Sequence, residues 1–308
     1  MILCVTPNPA IDRTLHVNSL HVGEVHRANK VLAAAGGKGL NVARTILALG
    51  GEPFCMGLAG GHTGNLLAEL AARKGLPAHW TWIKNESRTC VILVERGRDA
   101  TVINERGAKV NGDECQAFLN DVWREAEHAQ LICISGSLPP GFSIEFFQSL
   151  LSGLAERKKS VWVDTSGAAL KVALQIQGVN IKVNAGELSE AVDVEISNTE
   201  QAAKAGLQLI QQGVGTVVVT LGKEGAVLVT NSGVWVARPP AIEMVSSVGS
   251  GDAFLGGLTV ALEAGNLPEV ALCYGVAAGA ANCLHFGGGM VRREEFAKTL
   301  ETVKVSFR

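Results

Sequence analysis

The segment Val248-Gly249-Ser250-Gly251-Asp252-Ala253-Phe254-Leu255-Gly256-Gly257-Leu258 combines glycines, an aspartate and an apolar run that reads as a helix ending near Glu263. Without Cβ atoms, Gly249 and Gly251 let the backbone turn tightly and aim successive N–H groups at one point, where the helix dipole adds roughly half a positive charge. Such a nest binds anions. A carboxylate beside it, Asp252, could take a proton from a hydroxyl while the amides hold a phosphoryl group in transfer. Asp is equally a common N-cap residue, and this segment alone leaves both readings open.

Two further clusters carry polar chemistry. Ala35-Gly36-Gly37-Lys38-Gly39-Leu40-Asn41 places three glycines at a helix start, with an ammonium and an amide close by, which suits a polyhydroxyl or phosphorylated ligand. It is not a Walker A loop, because Lys38 is followed by Gly39 instead of Ser or Thr, and no G-x-G-x-x-G follows the first strand. Lys182-Val183-Asn184-Ala185-Gly186-Glu187 ends an apolar strand, where ligands meet parallel sheets. On a helix beginning there, Asn184 and Glu187 can hold the water shell of Mg²⁺; the same N-x-x-E spacing also makes a capping box.

The elements that must position these clusters follow βα order. Apolar or β-branched runs at residues 2–6, 53–59, 131–135, 161–164, 179–183 and 216–220 alternate with helical patterns at 40–49, 65–74, 113–128, 144–158, 168–175 and 199–212. Strands as continuously apolar as LICIS and TVVVT require helices on both sheet faces. Residues 12–35 and 86–107 break the rhythm and read as a small β flap, its second half folding around a turn at Gly97. One of its faces is expected to cover a ligand or another subunit; an ordinary surface hairpin is the plainer alternative. Trp80 and Trp82 share one strand face and read as packing residues.

Composition narrows the function classes. The chain has 308 residues, with 27 Lys plus Arg against 29 Asp plus Glu, and no block of like charge, so a nucleic-acid footprint is not supported. Apolar runs fall far short of the roughly 18 residues of a spanning helix, and the N-terminus lacks the features of a secretory signal, so a cytoplasmic protein is expected. The seven cysteines contain no C-x-x-C pair and lie mostly in apolar segments, as reduced core thiols do; the seven scattered histidines offer no zinc site.

Together, AGGKGLNVA, N-x-x-E and VGSGDAF, in that order and spacing, resemble the PfkB family of ribokinase-like carbohydrate kinases, and the likeness spans essentially all of residues 1–308 as one domain. Thr6-Pro7-Asn8-Pro9-Ala10-Ile11-Asp12 and Ser135-Gly136-Ser137-Leu138-Pro139-Pro140-Gly141 look like its phosphosugar branch, which includes 1-phosphofructokinase, tagatose-6-phosphate kinase and the minor 6-phosphofructokinase. The resemblance implies a three-layer αβα α/β fold with a mainly parallel sheet and an inserted β lid that pairs between subunits of a homodimer. It also implies ATP and Mg²⁺ as reactants, with Asp252 as base and the amides of Gly249, Ser250 and Gly251 as anion hole. Asn184 and Glu187 would organise Mg²⁺ through water.

On the sugar side the resemblance implies Asp12 and Asn41 against hydroxyls, the Gly36-Gly37 backbone against the ring, Ser137 close by, and Arg88 with Lys38 on the substrate phosphate. Arg27 matches a phosphate contact that can come from the neighbouring subunit. Lys182, Thr220, Gly222 and Asn282 match the nucleotide side. Ser250 stands where the family commonly has Ala, and Val183 where Pro is common. The substrate expected is fructose 1-phosphate, converted to the 1,6-bisphosphate. An NAD(P) oxidoreductase lacks its fingerprint, and a sugar-phosphate binding protein without turnover would not need Asp252 beside an anion nest.

Overall fold

Strands that are apolar at every position demand cover on both faces, and the computed structural model, which describes residues 1–95 and 100–307, provides it. The first half of the chain runs β1 (Ile2–Thr6), β2 (Ala10–Val17), β3 (Lys30–Gly36), α1 (Lys38–Ala48), β4 (Pro53–Gly60), α2 (Gly61–Arg73), β5 (Ala78–Ile83), β6 (Arg88–Glu95), β7 (Thr101–Asn104) and α3 (Gly112–Ala126). It continues with β8 (Leu131–Ser135), α4 (Ile144–Glu156), β9 (Ser160–Asp164), α5 (Gly167–Ala173), β10 (Asn180–Asn184), α6 (Ala185–Val192), α7 (Thr199–Gln211) and β11 (Val217–Thr220). The last part is β12 (Ala226–Thr230), β13 (Gly233–Arg238), α8 (Ser250–Glu263), α9 (Pro268–Asn282), α10 (Arg293–Thr302) and β14 (Lys304–Phe307).

The large sheet has ten strands in the order β14-β13-β12-β11-β10-β9-β8-β1-β4-β5. From β11 to β5 every pairing is parallel; β12, β13 and β14 add antiparallel. Alternation along each strand divides the apolar residues between two cores. Leu3, Val5, Ile132 and Ile134 face one side with Phe118 of α3 and Phe147 of α4, while Ile2, Cys4, Leu131 and Cys133 face the other with Leu40 of α1 and Leu255 of α8. This is the expected ribokinase-like αβα arrangement. All seven cysteines are free thiols, and five are buried.

A second sheet has the order β3-β2-β6-β7. It is the expected flap with shifted limits: β2 begins at Ala10, β3 ends at Gly36 and β6 begins at Arg88, so its strand ends join the polar clusters directly. The turn expected at Gly97 lies outside the described residues. Trp82 departs from expectation: β5 is the edge strand of the large sheet, and its indole stays 52% exposed.

Candidate active site

Parallel strands end together, so Ser135 of β8 stands in register with Asp164 of β9, and Asn184 of β10 with Thr220 of β11, along one edge of the large sheet. The start of α8 faces this edge. Gly249 caps the helix in the left-handed region at φ 75°, and a Cβ there would lie 2.2 Å from Gly288 Cα, so conformation and space both demand glycine. The Ser250 N–H closes a turn onto the Ser247 carbonyl at 3.2 Å, and its hydroxyl meets the Cys283 thiol. Of the three amides expected in the anion hole, Ser250's is therefore already engaged. The Gly251 and Asp252 N–H groups have no acceptor among the described residues.

Asp252 is 6% exposed, and its Oδ2 accepts from Asn41 Nδ2 at 2.7 Å. Burial pushes its carboxyl up to about 6, assisted by the Asp164 charge and opposed by Lys38, Lys182 and the Asn41 amide. A carboxylate with that affinity can accept a proton near neutral pH. Next to it lies a charge cluster centred on Asp164, a residue that no motif or spacing singled out. Asp164 is fully buried and accepts from Lys182 Nζ and from Lys38 Nζ, each at 2.7 Å. Burial alone would raise its carboxyl, but the two ammonium groups overcome this and hold it below the usual range.

Lys38 also lies 3.4 Å from Glu187 Oε1. Burial draws its ammonium toward neutrality, yet Asp164, Asp252 and Glu187 outweigh that and keep it charged. Its head thus sits with the acidic groups of the large cleft, whereas Arg88, its expected partner on the substrate phosphate, bonds elsewhere. Lys182 Nζ lies 2.7 Å from where a Cβ on Gly251 would stand, so the absent side chain leaves room for an ammonium at the anion nest. Asn184 and Glu187 do form the capping box of α6: Asn184 Oδ1 accepts from the Glu187 N–H at 2.8 Å and Glu187 Oε2 from the Asn184 N–H at 3.0 Å. Both still line a cleft of about 1040 Å³, along with Thr220, Gly222 and the start of α8.

The small-sheet cluster and Asn41 do not line that cleft. Asp12 accepts from the Gly37 N–H; burial raises its carboxyl, against the pull of Arg44 and Arg88. Its carboxyl crosses Gly36 so closely that a Cβ there would overlap it. Arg88 donates through Nε and Nη2 to the Asn8 carbonyl at 3.2 and 2.9 Å and through Nη1 to the Glu105 carbonyl at 3.0 Å, spending three of its five donors. Asn8, assigned nothing from sequence, donates to Ser137 Oγ at 3.1 Å and to the Arg106 carbonyl at 3.0 Å, joining the ends of β1 and β8.

Two further expected residues join neither the cleft nor the small-sheet cluster. Arg27 is exposed in the β2–β3 loop and is not among the residues lining the cleft. Asn282 is fully buried behind the α8 start, donating to the Val248 carbonyl at 2.9 Å and accepting from the Met290 N–H at 2.8 Å, so it braces the loop from behind. Among the described residues, no group of three His, Cys, Asp or Glu side chains could hold a metal ion, and no helix is long and apolar enough to cross a membrane.

A three-layer αβα body with a separate small sheet, and a glycine-bracketed helix start at the carboxyl edge of its parallel strands, defines the ribokinase-like class. Residues 5–293 match the pfkB family of carbohydrate kinases, and the chain belongs to that family. It is a sugar kinase, transferring phosphate to an alcohol group. It is similar to 1-phosphofructokinase of Bacillus subtilis strain 168, 29% identical over 306 residues that cover 99% of each chain. The tetrameric inhibited form of phosphofructokinase-2 from Escherichia coli superposes with a TM-score of 0.91 at 31% identity, covering 97% of this chain and 98% of that one. The same Escherichia coli enzyme in complex with fructose-6-phosphate gives a TM-score of 0.89 at 29% identity, covering 97% and 98%.

Proposed function

We propose that this chain phosphorylates a ketohexose phosphate with ATP, taking fructose 1-phosphate to fructose 1,6-bisphosphate, and that residues 1–308 act as one domain with the small sheet as lid. The observation that carries the reading is Asp252: a buried carboxyl raised to about 6, beside the open Gly251 and Asp252 amides and two lysines, at the inner wall of a cleft of about 1040 Å³. The large cleft takes the nucleotide against Thr220 and Gly222, and the small-sheet cluster takes the sugar.

In this reading the sugar hydroxyl gives its proton to Asp252 as its oxygen bonds to the γ-phosphorus, and the bond from phosphorus to the departing ADP oxygen breaks. The amides of Gly251 and Asp252 with Lys182 and Lys38 hold the charge that develops on the phosphoryl oxygens. Asp12, Asn41 and Ser137 orient hydroxyls, the Gly36-Gly37 backbone lies against the sugar, and the unspent donors of Arg88 hold its phosphate. Asn184 and Glu187 would hold a hydrated Mg²⁺ through water: Asn184 Oδ1 and Glu187 Oε2 are spent within the capping box, and Glu187 Oε1, which Lys38 Nζ approaches at 3.4 Å, is the oxygen that would accept from the water shell. Such an ion supplies neutralising charge to the phosphates when bound.

The small sheet supports a homodimer. Pairing registers place Leu15, Val31 and Leu93 in one cross-strand row and Arg13, Ala33, Val91 and Ile103 in the next, on a single face. On that face Val31 is 46% and Ile103 58% exposed, while Ile92 and Val94 on the opposite face are buried. An uncovered apolar sheet face of this kind fits a second copy of itself. Arg27, exposed beside it, would then reach the partner's site.

The substrate assignment rests on similarity to the Bacillus subtilis enzyme, and the fructose-6-phosphate complex of the Escherichia coli enzyme makes the 6-phosphate its main rival. ADP release measured with fructose 1-phosphate, fructose 6-phosphate and tagatose 6-phosphate decides among them. The highest kcat/KM is expected for fructose 1-phosphate; a preference for either other sugar reassigns the substrate, and binding without turnover of any would make the chain a sensor.

A further inference from the structure

Arg44 rises from the middle of α1 and lies behind Asn41, outside the large cleft. Its guanidinium joins three separate elements. Nη1 donates to the carbonyl of Ala35 at the end of β3; Nε and Nη2 donate to the Gly288 carbonyl at 3.0 and 2.7 Å; and Nη2 donates to Asn41 Oδ1. The last contact has a stereochemical consequence. An amide whose oxygen is held by a cation must turn its nitrogen the other way, and Asn41 Nδ2 is the atom that donates to Asp252 at 2.7 Å. Freed of Arg44, the amide could rotate and set its oxygen against the carboxylate.

The same guanidinium supports the anion nest. Gly288 packs on Asn41 so tightly that a Cβ would lie 2.3 Å from Nδ2, and Gly249, the cap of α8, packs on Gly288 in turn. Holding the Gly288 carbonyl therefore fixes the floor beneath both Asn41 and the start of α8. Arg44 touches neither Asp252 nor the open amides; it acts on them through Asn41 and Gly288.

We infer that Arg44 is a positioning residue for phosphoryl transfer: by gripping Asn41 Oδ1 and the Gly288 carbonyl together, it dictates which atom of Asn41 meets Asp252 and keeps the α8 cap in place. The inference rests on the reading of Asp252 as the base. A planar fork with several donors is needed for this, so lysine is not a substitute. Arg44 also borders a second cavity of about 280 Å³, with Leu47, Lys74, His285, Met290 and Arg292 on its walls. That cavity gives a small cation a route to the site when the side chain is removed.

The test compares Arg44→Ala, Arg44→Lys, Asn41→Ala and the Arg44→Ala/Asn41→Ala pair, with Asp252→Asn as control, in one steady-state assay beside thermal melts. Arg44→Ala is expected to lower kcat by about tenfold to a hundredfold, the scale of a misplacement near 1 Å, with little change in either KM. Arg44→Lys should lose nearly as much. Methylguanidinium should restore turnover to Arg44→Ala where ethylammonium at equal ionic strength does not, and in the double variant the two losses should not multiply. The inference is overturned by an Arg44→Ala enzyme within twofold of wild-type kcat, by absence of rescue, by losses that multiply, or by failure of both Arg44 variants to fold, which would assign the residue to folding alone. Should Asp252→Asn keep wild-type turnover, the base reading itself falls; should it lose turnover while Arg44 variants do not, only the role of Arg44 falls.

Discussion

Asp252 stores a conflict between folding and function. Its carboxyl is raised to about 6, so in the folded chain it holds a proton more tightly than a free carboxylate does. The sign follows: at pH 7 the ionised form costs stability, and that cost fades as pH falls through 6. Activity runs the other way, since a protonated base accepts nothing, and kcat/KM should fall on the acid side with a midpoint near 6, read from a pH–rate profile. Asp164 supplies part of that elevation, opposed by Lys38 and Lys182. Asp164→Asn should therefore move the acid midpoint downward; it should also destabilise the fold by about 3 to 5 kcal/mol, because two ammonium groups lose a buried partner. A denaturant melt and a pH profile on one preparation check both. The sequence made Asp252 readable through the glycines around it. Asp164, Arg44 and Asn8 carried no such spacing, because each meets a partner remote in the chain: Lys38 lies 126 residues from Asp164, Gly288 244 from Arg44 and Ser137 129 from Asn8.

Among the elements, α8 is the one whose start must be built to tolerance. Gly249 combines a left-handed backbone with a 2.2 Å approach to Gly288, so Gly249→Ala meets both a conformational cost of roughly 1 to 2 kcal/mol and a clash that pushes the Gly288 loop away. The expected result is a lower Tm together with a loss of kcat larger than the change in KM for sugar. Equal loss in a distant left-handed glycine such as Gly178, which has nothing within 4 Å, would show that the effect is only conformational. Most of the parallel strands and most helices were visible in the chain as apolar runs and periodic patterns, usually to within two or three residues, whereas β12, β13, β14, α9 and α10 were not read from it. N-x-x-E illustrates a limit of another kind: Asn184 and Glu187 form the capping box and line the cleft at once, so the two readings of one spacing were never exclusive. Asn282 differs: it stands behind the α8 start, bonded to the Val248 carbonyl and the Met290 N–H, and does not line the cleft.

The whole molecule is two apolar cores separated by one sheet, with the chemistry along the edge where the parallel strands end. That plan was readable because buried parallel strands are apolar throughout. The direction faced by the small sheet was not, since its residues alternate weakly and its register is known only from the pairing. If its apolar face joins two copies, Ile103→Lys with Val31→Lys should convert the dimer to monomer in sedimentation velocity while the melt stays near wild type; an unchanged sedimentation coefficient would place the interface elsewhere. In the proposed function, lid pairing, cleft and charge cluster all serve a single event, the passage of a hydroxyl proton to Asp252. The turnover of Asp252→Asn, measured on protein whose Tm and nucleotide binding have been verified, tests that event most directly. The account predicts an intact or slightly more stable fold, unchanged nucleotide affinity and a kcat lower by about 10² to 10⁴, the usual worth of a positioned base. A variant that binds nucleotide and turns over at close to the wild-type rate would contradict it.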